Sequence, residues 1–268
     1  MKTLQTKTII YDSNCPLCTW YTNKFVQAGA IEKNGRVSFD DIDRDTYCRL
    51  DLNRARHEIP VLDKTTGQVL YGLDGLSLII AGIYPFFAPL ITNRWLLKLF
   101  QPVYHFISYN RRVIAGSASG TNFAPDFNLK WRLVLIIAGI SYTGTCIFLF
   151  SMLMGINTLA LFAFVLLYFF ALMASDLACN KTRVQKWDYI GHLATLGFIE
   201  GTIFIFTALL AKLSGLTGLM FVGQGAGRLF AIWLHTKTVS INNYSANLNY
   251  VFATGAVGLI IIIAIFKN

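Results

Sequence analysis

Two cysteines three residues apart, in Tyr11-Asp12-Ser13-Asn14-Cys15-Pro16-Leu17-Cys18, are the residues of this chain best suited to chemistry. The thiolate is the form of cysteine that attacks disulfides. A thiol at the start of a helix has its anion stabilised by free backbone N–H groups and by the positive end of the helix dipole. The flanking residues offer such a place. Residues 8–11 are a short apolar, strand-like run, and residues 17–28 read as a helix. Pro16 suits the first helical turn, where its missing N–H costs nothing. Cys15 is then the attacking thiol, and Cys18 is near enough to resolve a mixed disulfide formed there. Asp12 has two readings, as a proton acceptor for Cys18 or as a turn or capping residue.

Two other readings of the pair stand beside thiol exchange. Cys-x-x-Cys is half a zinc site, but a structural site needs four ligands. Cys48 and His57 are the only nearby candidates, and the eight residues between them match no common knuckle. Two packed, unreactive thiols are the third reading. The strand-to-helix setting ranks redox chemistry first, metal second and inert packing third.

If the pair sits in a fold that resembles thioredoxin, that resemblance implies a second mark, a proline just before a core strand and facing the dithiol, where it would shape the substrate groove. Glu58-Ile59-Pro60-Val61-Leu62 supplies one, followed by a turn at residues 64–67, a strand-like run at 68–71, and Gly72 leading into a helix. An Ile-Pro bond reaches cis more easily than other bonds. On the residue alone, a trans proline opening a strand is the expectation.

The block Asp12-x-x-Cys15-x-x-Cys18 resembles the signature of the DCC family of predicted thiol-disulfide oxidoreductases. The stretch Pro102-Val103-Tyr104-His105-Phe106-Ile107-Ser108-Tyr109-Asn110-Arg111 resembles that family's closing helix, with its Tyr and Asn-Arg. Ile59-Pro60-Val61, Leu70-Tyr71-Gly72 and the proline after the first cysteine are also similar to glutaredoxins. The resemblance covers residues 1–115. It implies a thioredoxin-like α/β fold, a redox-active Cys15/Cys18 pair serving in place of a cofactor, and a cis Pro60. It brings no substrate beyond a disulfide-bearing protein or small thiol.

Composition excludes an ordinary soluble protein. Of 268 residues, 54% are hydrophobic and 14% charged, with a mean hydropathy of +0.51. Eleven of the fourteen acidic residues precede residue 130, leaving Asp176, Asp188 and Glu200 beyond it. A water-facing first half thus precedes a second half made mostly of membrane spans. Residues 1–5 are short and polar and residues 8–11 too brief for a signal core, so no secretory leader is expected. Five dispersed cysteines do not suit a secreted disulfide framework, which points to a reducing compartment.

Within the first half, Arg36-Val37-Ser38 reads as a strand entering an acidic, solvated loop at residues 39–45, and residues 46–56 as one polar helix carrying Cys48. Residues 76–90 are apolar but interrupted by Pro85 and Pro89 and too short to span a bilayer. Residues 83–100, with Trp95 and Phe100, are expected to lie against the bilayer or the membrane domain, with ordinary core helices as the alternative. Ala115-Gly116-Ser117-Ala118-Ser119-Gly120 reads as a flexible linker. The division expected is a redox domain at 1–115, a linker at 116–129, and an all-α transmembrane bundle at 130–268.

Five spans are expected, at residues 131–154, 156–178, 189–213, 217–234 and 246–266. The basic ends Lys130, Arg132, Lys181, Arg183, Lys186 and Lys237 share one side, which the positive-inside rule makes cytoplasmic. The N-terminal domain is then cytoplasmic on a cell inner membrane. The net charge of +9 needs lipid and topology, and no nucleic acid, to account for it. Glu200 and Arg228 fall at depths within reach of one another and are expected to pair. Gln224 one turn from Arg228, and His192 on the face of Glu200, join the expected polar network, with His235 at a depth similar to His192. A structural clamp ranks ahead of a proton or solute path, and that ahead of haem or metal held by His192 and His235. A relay between Cys146 and Cys179 is rejected on depth. Cys179 alone, on the cytoplasmic face, has Cys15 as a conceivable partner, and a packed thiol is the expected reading.

Overall fold

The structure is a computed structural model that describes residues 4–117, 123–177, 181–216 and 218–265. Cys179 and residues 118–120 of the expected Gly/Ser linker lie outside the described residues. The chain divides into two compact units, Met1–Trp131 and Arg132–Asn268.

The first unit is built on a four-stranded mixed sheet of order β2-β1-β3-β4. Strand β1 (Lys7–Tyr11) runs parallel to β2 (Arg36–Ser38) and antiparallel to β3 (Pro60–Asp63), which pairs with β4 (Val69–Tyr71). Ile9 and Val61 face each other in register and share a core with Ala30, Ile31, Ile59 and Ile79. Helix α1 (Pro16–Gln27) follows β1, as the short apolar run and Pro16 require. The expected helix at 46–56 is instead two, α2 (Arg44–Arg49) and α3 (Leu52–Ala55). Buried Leu50 turns extended between them, and Asp51 caps the second by accepting from Arg54 N at 3.1 Å. Burial of one leucine outweighs propensity across so short a segment.

After β4, Gly72 takes φ +60° while its N–H reaches Ile59 O at 3.0 Å, and a Cβ there would sit 3.1 Å from the Tyr104 ring. A left-handed residue against an aromatic ring suits only glycine. Helix α4 (Gly72–Ile83) ends before Pro85, a single 3₁₀ turn intervenes, and α5 (Ala88–Ile91) is brief. Asn93 caps α6 (Arg94–Ala115), accepting from Trp95 N and Leu96 N, and Gly116 ends it in the left-handed region. This helix carries the Tyr104 and Asn110-Arg111 positions back to the sheet.

The second unit is helical among its described residues: α7 (Leu129–Met154, beginning just before the division), α8 (Thr158–Leu177), α9 (Arg183–Ser214), α10 (Gly218–Ile241) and α11 (Asn247–Ile265). Three of the described helices, α7, α8 and α9, are long and apolar enough to cross a membrane. The third qualifies despite Glu200, because the rest of its length is apolar enough to absorb one charge. Thr182 and Gln185 close a reciprocal capping box at its start. Close approach of α7 to α9 rests on Gly139, where a Cβ would come within 2.8 Å of Ala194 O. Buried Arg132 and Asp188 join the same helices at 2.9 Å.

Candidate functional site

Cys15 is the N-cap of α1, extended at φ −98° and ψ 109°, and its Sγ accepts from Cys18 N at 3.4 Å. The sulfur therefore accepts from a free N–H in the first turn of the helix, where an anion is favoured. The loop that delivers it is fixed by Asp12, whose Oδ1 accepts from Asn14 N at 3.0 Å and whose backbone oxygen accepts from Cys15 N at 3.2 Å. Ser13 donates to Asp40 at 2.8 Å, so the acidic loop braces the turn.

The two thiols are separated electrostatically. A hydrogen bond from the Cys18 thiol holds Cys15 down at about 7, against the opposing pull of burial and with help from the Arg111 charge. Giving that bond, together with burial, pushes Cys18 well above the ordinary thiol value. One sulfur is thus poised as thiolate near neutral pH while the other keeps its proton. Both are free thiols, 1% and 2% exposed. Both sulfurs lie below the surface.

Around the pair stand groups that spacing alone did not assign. Arg111 comes from the far end of α6, is 6% exposed, places Nη2 3.6 Å from Asp12 Oδ2, and donates to Phe123 O at 3.0 Å. Its cation acts on both thiols. Burial pushes the Asp12 carboxyl up, and Arg111 and the Asn14 N–H pull it back only in part. Burial likewise pushes Tyr21 well up, with Cys18 adding to the effect, and Tyr104 up to about 12. The Tyr104 hydroxyl accepts from Ile59 N at 3.0 Å, tying α6 to the residue before Pro60. The signal for Arg111 was the Asn-Arg pair at the end of the resembling helix. Nothing local marks it off from Arg112.

Pro60 opens β3, is buried, and pairs with Tyr71. It stands one step beyond the Ile9–Val61 pair, beside the end of β1 that leads to the dithiol. The expected cis bond is not found: among the described residues every peptide is trans. In trans, Ile59 N still reaches Tyr104 and Ile59 O still accepts from Gly72, so the strand entry is satisfied without isomerisation. Cys48 is exposed on α2, and His57 is 3.1 Å from Asp126. Neither joins the dithiol, and among the described residues no three metal-binding side chains gather.

In the helical unit, Arg228 Nη1 lies 3.3 Å from Glu200 Oε1, and its guanidinium stands 4.9 Å over the Phe204 ring. Gln224 is buried on α10 one turn earlier. His192 is buried with its ring 6.0 Å from that of His235. His235 is held by Tyr189 and Asn249, each at 3.0 Å, and stacks on Phe252. The histidines thus form a group of their own. Cys146 is buried where α7 meets Gly201 of α9.

Residues 9–117 match the family model described as DCC1-like thiol-disulfide oxidoreductase. The matched stretch contains Asp12, Cys15, Cys18, Pro60 and Arg111, and the three apolar helices long enough to cross a membrane follow it. No curated protein and no solved structure matches the chain.

Proposed function

From a first half that carries the DCC1-like family match, we propose that this chain is a membrane-tethered thiol-disulfide oxidoreductase with a thioredoxin-like N-terminal domain. The observation that carries the reading is the pairing of a Cys15 sulfur lowered to about 7 with a Cys18 thiol held protonated, at the start of one helix. The sheet order β2-β1-β3-β4, with β1 and β2 parallel and the dithiol after β1, supports the fold assignment.

The Cys15 thiolate attacks one sulfur of a substrate disulfide, forming a mixed disulfide and expelling the other sulfur as a thiolate. Cys18 then gives its proton to the buried Asp12 carboxylate and attacks Cys15 Sγ. The second substrate sulfur leaves, and a Cys15–Cys18 disulfide remains. Two electrons pass from the dithiol to the substrate. Arg111 stabilises the thiolate and holds Asp12 in place. Pro60 borders the groove at the end of β1.

The membrane half is read as five spans, three of them on helices long and apolar enough to cross a membrane, and the shared side of the basic ends supports an N-terminal domain on the cytoplasmic face of a cell inner membrane. Residues 84–107 support a membrane seat as well. Phe86 and Trp95 are 87% and 82% exposed, and Leu90, Leu99, Phe100 and Val103 are exposed nearby. Lys98 stands over the Trp95 ring, and an amphipathic, aromatic surface of this kind suits a lipid interface.

A second reading is a carrier or structural membrane protein whose redox domain is regulatory or vestigial. The burial of both sulfurs favours it. Full-length protein in nanodiscs, assayed for reduction of a fluorogenic glutathione disulfide, separates the two. The enzyme reading expects turnover that Cys15→Ser abolishes, and a mixed disulfide that Cys18→Ala traps. Turnover unaltered by Cys15→Ser removes that residue from the mechanism.

A further inference from the structure

The last stretch of the first unit folds back onto the residues that support the dithiol. Phe123 is buried, its ring stacks on Phe39 with centroids 3.6 Å apart, and it shares a cluster with Ala55 and Tyr71. Its carbonyl oxygen accepts from Arg111 Nη2 at 3.0 Å, and the same nitrogen lies 3.6 Å from Asp12 Oδ2. Further along, Trp131 O accepts from Asn110 Nδ2 at 3.0 Å, and Trp131 N donates to Asn128 Oδ1 at 3.3 Å. Two adjacent residues of α6 thus grip the two ends of a strap at residues 123–131, which runs directly into α7. Between the grips, Asp126 pairs with Arg56 at 3.5 Å and with His57 at 3.1 Å. The Asp126 side chain is 64% exposed, so these pairs hold little. The seat of the strap near the dithiol therefore rests on the Phe123 ring and on Arg111.

Arg111 is a buried cation, and a buried charge is tolerated where opposite charge compensates it. Asp12 stands beside it, and the Cys15 thiolate is the second anion within its influence. Exchange with a substrate disulfide takes that thiolate away. Cys15 and Cys18 give up two electrons and form one S–S bond while the substrate S–S bond breaks. The two substrate sulfurs leave with the negative charge and with the Cys18 proton, passed on by Asp12. The disulfide left behind is neutral, so Arg111 keeps its charge and loses one of its two anions.

We propose that residues 123–131 form a redox-sensitive strap, seated on Arg111 while the dithiol is reduced and released when the pair becomes a disulfide. Release lets water reach the guanidinium, and hydration replaces what the thiolate supplied. Freeing Phe123 loosens the entry to α7, the first of the three helices long and apolar enough to cross a membrane. The trigger is the thiol exchange proposed above for Cys15 and Cys18.

The test compares full-length protein in nanodiscs, reduced with a phosphine or oxidised with diamide, which takes up the two electrons. Peptide mass reports the Cys15–Cys18 bond, and hydrogen exchange is read over residues 123–131. Exchange there should be about fivefold faster or more in the disulfide form, the lower end of ordinary coupling between sites. Cys15→Ser/Cys18→Ser should show no such difference, which ties the change to the disulfide. Coupling is reciprocal, so Phe123→Ala, which unseats the strap, should favour the disulfide by about the same factor and lower the dithiol potential by about 20 mV. The comparison of wild type in two redox states needs no substitution, so misfolding of a variant cannot decide it. Equal or slower exchange in the disulfide form overturns the strap and leaves the thiol reading standing, as does a potential unmoved by Phe123→Ala. Failure of Cys15 and Cys18 to form a disulfide overturns both.

Discussion

Replacing Cys18 with alanine removes the largest influence that holds Cys15 down. The Cys15 titration should move from about 7 toward the ordinary value of 9.0. At pH 7 the thiolate fraction then falls from about one half to about one hundredth, a loss of roughly fifty-fold. A more basic thiolate is also a better nucleophile. With a Brønsted coefficient of 0.4–0.5, two pH units return roughly six- to ten-fold. The net effect is attack about five- to eight-fold slower at pH 7, equal near pH 8, and about six- to ten-fold faster well above pH 9. The assay is single-turnover loss of reduced Cys15 with a small neutral disulfide, quenched with acid and read by peptide mass across pH 5 to 10. Burial slows both proteins alike and leaves the midpoints intact. Arg111→Gln should move the midpoint the same way by less, because its charge ranks behind the Cys18 hydrogen bond. A Cys18→Ala profile still centred near 7, with no crossing, would refute the claim that the second thiol tunes the first.

Three further outcomes are expected. Lys7 and Asp63 face each other across β1 and β3 at 2.5 Å, and the Lys7 hydrogen bond, helped by Thr65 N, holds Asp63 down at about 2. A carboxylate lowered on folding adds stability that is present above its unfolded value of 3.8 and lost as pH falls toward 2. Lys7→Met should therefore flatten the dependence of unfolding midpoint on pH within that window, and an unchanged slope contradicts the pairing. Glu200→Gln leaves Arg228 charged and unpaired in an apolar interior. It should cost about 3–5 kcal/mol by detergent-solubilised unfolding, with much of the loss recovered in the Glu200→Gln/Arg228→Met double variant. A single variant as stable as wild type would show that the pair does not hold α9 to α10. In liposomes of brominated lipid, part of the tryptophan fluorescence should be quenched through Trp95, and Trp95→Phe should remove that part. Equal quenching in both proteins would take residues 84–107 off the bilayer.

Short-range rules made much of this molecule legible in its sequence. The start of α1 at Pro16 follows from a proline with no donor to lose and a cap residue before it, and both act within four residues. The strand and turn at 60–71 and the three helices long and apolar enough to cross a membrane follow from periodicity and length in the same way. The placement of Cys15 at the cap of α1, with Cys18 one turn on, needs only their spacing and a helix end.

Other features depend on chain segments that meet only in the folded state. Leu50 breaks the expected helix at 46–56 because its side chain is worth more in the core than in a continuous helix. Ile59, before the trans Pro60, is bonded through its N–H to Tyr104 and through its C=O to Gly72, both distant in the chain. Arg111, distant in the chain, reaches Asp12 and the dithiol, so its charge on those thiols was marked in the sequence only by the Asn-Arg pair of the resembling helix. The burial of Arg228 against Glu200 and the Phe204 ring is likewise a product of packing. Composition, caps and periodicity are sums over neighbours in the chain, and the sequence determines them directly. Burial, charge and unfilled volume are sums over neighbours in space, and only the tertiary structure decides which those are.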